Sequence, residues 1–142
     1  MAVTVEDLRE AHARGTLRGI IRAGEDLLGR AQRLAPVEEG TLRASASLTI
    51  IVNGRRFEGG IGAQRMAESL VVMLARRGAL KSIDAEVSFN TVYAARQHEE
   101  TSWDHPLGGQ AKYLEQPLRE NVRRYSRAIA LEGEAALRRA RS

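Results

Sequence analysis

The densest run of chemically capable side chains is Gln97-His98-Glu99-Glu100-Thr101-Ser102-Trp103-Asp104-His105. Imidazoles and carboxylates ligate zinc and iron, and the same groups act as general acids and bases. Spacing argues against both uses. A metalloprotease helix carries two histidines four apart with a glutamate after the first, so that both rings share one face. Here the second histidine follows the first by seven residues. His98, Glu99 and His105 therefore read as polar loop side chains that hydrogen-bond locally, with a metal-dependent hydrolase as the rival reading. Serine chemistry fares no better, because Ser45, Ser47 and Ser102 lack the Gly-x-Ser-x-Gly context that strains and exposes a nucleophile. Gly59-Gly60-Ile61-Gly62 is glycine-rich, yet no Lys-Ser or Lys-Thr pair follows it as a phosphate loop requires. The expectation is a protein without catalytic residues, metal or cofactor.

Charge is the remaining chemical signal. The chain carries 22 lysines and arginines against 18 acids, a net charge of +4, and its only lysines are Lys81 and Lys112. From Pro117 onward, seven arginines face three glutamates, which accounts for the whole excess. Arg119, Arg123 and Arg127 on that segment are candidates to face DNA, since phosphate attraction needs cations gathered on one surface. The competing reading is a solvated helix face: acids are interspersed, and no aromatic ladder accompanies the arginines for base stacking.

The elements that must position these groups follow from patterning. The chain has 142 residues, 43% hydrophobic and 28% charged, which suits one folded domain over 1–142. Cysteine is absent, so disulfides and thiolate chemistry are excluded. Apolar runs such as Leu70–Ala75 are far too short to span a bilayer, and the acidic start MAVTVEDLRE does not resemble a secretion signal.

Thr4 is a candidate N-cap for a first helix, with Glu6 and Asp7 well placed in its first turn. Leu17, Ile20, Ile21, Leu27, Leu28, Ala31 and Leu34 form its apolar stripe, and Pro36 closes it. Glycines at 15, 19, 24 and 29 each cost about 1 kcal/mol in a helix interior, so a break near Gly15 is expected. The Gly15-x-x-x-Gly19 spacing would also admit a second helix at close range.

Ser45–Val52 reads as a strand, Asn53-Gly54 as a tight hairpin turn, and residues 55–61 as the returning strand. Residues 64–77 fit a helix stopped by Gly78, with a strand as the alternative over Ser69–Leu74. Residues 82–92 alternate as a strand, with Ile83, Ala85, Val87 and Phe89 on one face. Residues 93–111 read as a long polar loop. Pro117, tolerated in a first helical turn, opens a last helix marked by Leu118, Val122, Tyr125, Ile129 and Leu137, with residues 138–142 expected to fray. The fold class is α+β: long N- and C-terminal helices on a small, mainly antiparallel sheet, with 53–81 as an inserted hairpin and helix arm.

Three stretches taken in order carry a resemblance. They are Ala35-Pro36-Val37-Glu38-Glu39-Gly40-Thr41-Leu42-Arg43-Ala44-Ser45, then Tyr93-Ala94-Ala95-Arg96-Gln97-His98-Glu99, then Gly108-Gly109-Gln110-Ala111-Lys112-Tyr113-Leu114-Glu115-Gln116-Pro117-Leu118. Their order and spacing, over residues 27–127, resemble the small neck or tail-completion proteins of long-tailed bacteriophages. The resemblance implies a structural virion protein, assembled in the bacterial cytoplasm, that forms a ring between the portal vertex and the tail.

It implies as partners further copies of the chain, in a hexamer or dodecamer, and neighbouring portal-adaptor, head-completion, tail-tube or terminator proteins. Tyr93, His98, Glu99, Trp103 and Tyr113 become expected interface contacts, with Arg43 and Lys112 as inter-subunit ion-pair candidates. Pro36, Gly40 and Leu42 would shape the helix-to-strand corner, and Gly109, Leu114 and Pro117 the approach to the last helix. DNA would be touched only transiently, and a membrane not at all.

Overall fold

The computed structural model describes residues 2–34, 46–89 and 114–142. In chain order the elements are α1 (Val5–Leu34), β1 (Ala46–Val52), β2 (Arg55–Glu58), α2 (Ile61–Arg76), β3 (Ile83–Phe89) and α3 (Glu115–Arg141). The architecture is α+β, as the patterning implied.

Helix α1 begins where the capping residues predict. The Asp7 backbone N–H donates to the Thr4 hydroxyl at 3.1 Å, and the Thr4 N–H donates back to the Asp7 carboxylate at 3.1 Å. This reciprocal pair satisfies two amides at the helix start. The helix then runs unbroken through Gly15, contrary to the expected break. Close packing is the reason: Gly15 and Gly19 are buried where α3 crosses, and that contact offsets their low propensity.

Asn53 (φ 49°) and Gly54 (φ 83°) both occupy the left-handed region, as a two-residue turn with Val52 opposite Arg55 requires. The sheet order is β2-β1-β3, antiparallel throughout, with β1 in the centre. Register places Leu48 opposite Val87, Ile50 opposite Ala85 and Val52 opposite Ile83, so one face is apolar along its length. Both α1 and α2 cover that face. Ala13 and Leu17 of α1, Ile50 and Val52 of β1, Phe57 of β2, and Ala67, Val71 and Ala75 of α2 form the core.

Segment 53–81 does contain the expected hairpin and helix. It is no projecting arm, however, because Phe57, Ala67, Val71 and Ala75 are all core residues. Helix, not strand, spans Ser69–Leu74, since Ala67, Val71 and Ala75 recur every four residues toward the core. Gly78, at φ 70°, ends α2: its N–H donates to the Ala75 carbonyl and the Ala79 N–H to the Leu74 carbonyl. This is the double closure that a left-handed glycine permits.

Helix α3 runs antiparallel to α1, with His12 beside Gly133, Gly19 beside Ile129 and Asp26 beside Tyr125. Its buried line is Pro117, Asn121, Tyr125, Gly133 and Ala136, stepping mostly by four residues. Leu118 and Val122, expected on the inner stripe, lie outside it and are exposed. At this end of α3 the buried line is held by Pro117, Asn121 and Tyr125, and Leu118 and Val122, each one residue past a member of that line, are rotated to its flank. The segment expected to fray is helical to Arg141. Gly133 and Ala136 pack on α1 just before it, and the last-turn arginines complement the helix dipole.

Candidate functional site

Two features of α3 organise the exposed chemistry. The first is a polar clamp to α1. Tyr125 donates its hydroxyl to the Asp26 carboxylate at 2.6 Å, and Arg30 and Arg124 each donate to the same carboxylate at 2.8 Å. The Asn121 side chain accepts from Arg124 and donates to the Pro117 carbonyl, which ties the clamp to the start of α3. Nearer the other end, Glu132 accepts from Arg22 and lies within ion-pair range of Arg18.

The hydroxyl of Tyr125, with Arg30 and Arg124, holds the Asp26 carboxyl at about 2, well below its ordinary value of 3.8. Burial and the facing Asp26 carboxylate push the Tyr125 phenol up to about 12. The depressed carboxyl stabilises the fold above pH 3.8, and that contribution is lost as pH falls through about 2. The raised phenol stabilises it below pH 10, and that contribution is lost as pH rises through about 12. Tyr125→Phe removes the largest single cause, so the Asp26 carboxyl should titrate closer to 3.8. A carboxyl-carbon NMR titration reads this directly, and an unchanged midpoint would show that the arginines alone hold the group.

The second feature is an apolar groove of about 480 Å³ between α1, β3 and α3. Ile20, Leu27, Ala85 and Val87 line it from one side, and Leu118 and Val122 from the other. Leu118 is 44% and Val122 47% exposed, large values for aliphatic side chains flanking a concave surface. Strand β3 lines the groove and is the outermost strand on its side of the sheet among the described residues. A second apolar ridge lies elsewhere, on the outer side of α2, where Met66 is 59% and Met73 41% exposed.

Of the residues singled out in the sequence, Arg43, Tyr93, His98, Glu99, Trp103, Lys112, Tyr113, Pro36, Gly40, Leu42 and Gly109 lie outside the described residues, as does His105. Leu114 sits half-buried at the start of α3 and accepts the Leu118 N–H, and Pro117 is buried in the first turn. Arg119 is paired with Glu115, one turn before it. Arg123 and Arg127 are exposed and form no ion pair among the described residues. No group of three or more metal-ligating side chains occurs among the described residues. No helix among them is long and apolar enough to cross a membrane.

Sequence reasoning missed the Asp26–Tyr125 clamp, whose partners are 99 residues apart. The signals available were an acid inside an apolar stripe and a tyrosine on the inner line of α3. A scan against protein-family models gives no match for the chain, and neither curated proteins nor solved structures include one similar to it.

Proposed function

We propose that this chain is a structural protein of a tailed-phage virion, building an oligomeric ring in the neck where the portal vertex meets the tail. The observation that carries the reading is the ordered set of three motifs at Ala35–Ser45, Tyr93–Glu99 and Gly108–Leu118. Two surfaces support it. The α1/β3/α3 groove is concave and apolar, and the Met66–Met73 ridge is convex and apolar on a different element.

A patch meeting a different patch on the next copy is a heterologous contact, the kind that closes into a ring. The groove therefore receives the α2 ridge of the neighbouring copy. Arg123 and Arg127 leave uncompensated charge on the outer side of α3, and DNA passing through a ring would meet such charge only transiently and in a salt-sensitive way. The alternative is a small basic DNA-binding protein that uses this arginine-rich helix, which DNA binding that weakens steeply with salt and is abolished by Arg123→Ala with Arg127→Ala would favour.

Sedimentation velocity of the purified chain, alone and mixed with portal or tail particles, is the test. A ring-sized species, free or bound to those particles, is expected. A monomer under every one of these conditions overturns the reading.

A further inference from the structure

We infer that a cleft at the opposite end of α1 from the Asp26 clamp binds the phosphate group of a nucleotide. The cleft is formed by the first half of α1, the turn after α2 and the start of β3, and encloses about 470 Å³. Three cationic or proton-accepting side chains line it: Arg9, His12 and Lys81. None of the three makes a side-chain hydrogen bond or ion pair among the described residues. Glu6 is the carboxylate that feels Arg9, through space and without an ion pair.

Elsewhere the arginines that reach between elements have carboxylate partners: Arg14 meets Glu68, Arg76 meets Asp7 and Glu10, and Arg124 meets Asp26. Unpaired cations gathered in one concavity repel each other, and an anion relieves that repulsion. The site is also built rather than incidental. The Asn53 carboxamide accepts from the backbone N–H groups of Lys81 and Ser82 and donates to the Ala79 carbonyl, which fixes the segment carrying Lys81.

The Arg9 guanidinium lies across Gly78, where a β-carbon would stand 3.3 Å from it, and the His12 imidazole rests against Gly133 of α3. The backbone carrying Lys81 is thus fixed, and the Arg9 and His12 side chains lie beside glycines of neighbouring elements. Thr16 and Ser82 add hydroxyls to the wall, while Ala13, Leu80 and Ile83 make an apolar floor. Cationic rim, hydroxyl wall and apolar floor together match a phosphate joined to a ring, and the volume is within the range of small-ligand sites. The assignment does not depend on the virion reading.

The test uses the full-length chain at low salt, about 50 mM, where phosphate contacts are strongest. Calorimetry and amide NMR are run with orthophosphate, dAMP, a short oligothymidylate and an oligoglutamate peptide. Expected is saturable binding of dAMP, of the oligothymidylate, or of both, displaced by orthophosphate, with shifts centred on Arg9, His12 and Lys81. Tighter binding of dAMP identifies a free nucleotide as the source of the phosphate, and tighter binding of the oligomer identifies a strand.

Arg9→Ala and Lys81→Ala should each weaken binding about tenfold, the worth of one charged hydrogen bond. Both side chains are exposed, so circular dichroism should show the fold retained. Arg65→Ala, an exposed arginine on α2 with the same charge change, should leave affinity unaltered. The assignment is overturned by no binding of either nucleotide ligand, by equal losses in Arg65→Ala, or by oligoglutamate binding as well as dAMP.

Discussion

Gly15→Val is expected to destabilise the fold by about 3 kcal/mol and to lower Tm by about 10 °C. A β-carbon on Gly15 would stand 2.5 Å from the Glu132 carbonyl oxygen and 2.6 Å from the Ala136 β-carbon. Neither obstacle can swing aside, because one is backbone and the other is the first atom of a side chain on a packed helix. Relief requires α3 to move away from α1, which also stretches the Gly19 contact with Ile129 and loosens the Asp26 clamp. Overpacking against a rigid neighbour lies at the costly end of its range.

Gly29→Ala in the same helix is the control. The nearest group to its β-carbon is the tip of Arg33 at 3.6 Å, an ordinary contact. Alanine there should stabilise the chain by up to about 1 kcal/mol through helix propensity. Thermal unfolding of the two variants beside the parent chain separates the effects. Gly15→Val unfolding at the parent temperature would mean that the helices do not meet at these glycines.

The second large effect concerns assembly. Leu118→Glu with Val122→Glu places two carboxylates on the rim of the α1/β3/α3 groove, at positions 44% and 47% exposed in the single chain. Such side chains add charge to a free surface at little cost, so the folded monomer should keep its Tm within a few degrees, surface changes being worth about 0.5 kcal/mol. An apolar ridge docking in the groove would instead strand both charges without partners. Burying even one costs several kcal/mol per interface, and a ring repeats that cost at every subunit. Loss of the ring-sized species, by 100-fold or more in concentration dependence, is the expected outcome. Met73→Glu on α2 should reproduce it if that ridge is the complementary patch. Unaltered assembly in the groove variant would place the interface elsewhere.

Several elements were legible because local chemistry decides them. Asn53-Gly54 demands a left-handed pair, Gly78 demands a helix stop, and Thr4 with Asp7 demands a helix start; each stands where the residues indicate. The Gly15 region was not legible from propensity. A residue that costs about 1 kcal/mol in an isolated helix becomes favourable once a second helix lies on it, and that helix begins 100 residues later. The outward turn of Leu118 and Val122 was not legible either, since their hydrophobicity suited a buried stripe equally well, while Pro117, Asn121 and Tyr125 hold the buried line there. The Asp26–Tyr125 bond depends on the α1–α3 crossing and has no local signature. The aromatic and histidine positions tied to the phage resemblance fall outside the described residues, so the groove, the ridge and the cationic cleft are what the fold itself adds.

If the chain is the proposed neck protein of a tailed phage, deleting its gene from that phage and imaging the lysate by negative stain tests the central claim most directly. A neck ring joins two separately assembled particles, so DNA-filled heads and finished tails should accumulate unjoined. Supplying the chain in trans should restore joined particles. Normal, infectious particles with heads and tails attached in the absence of the chain would contradict the account.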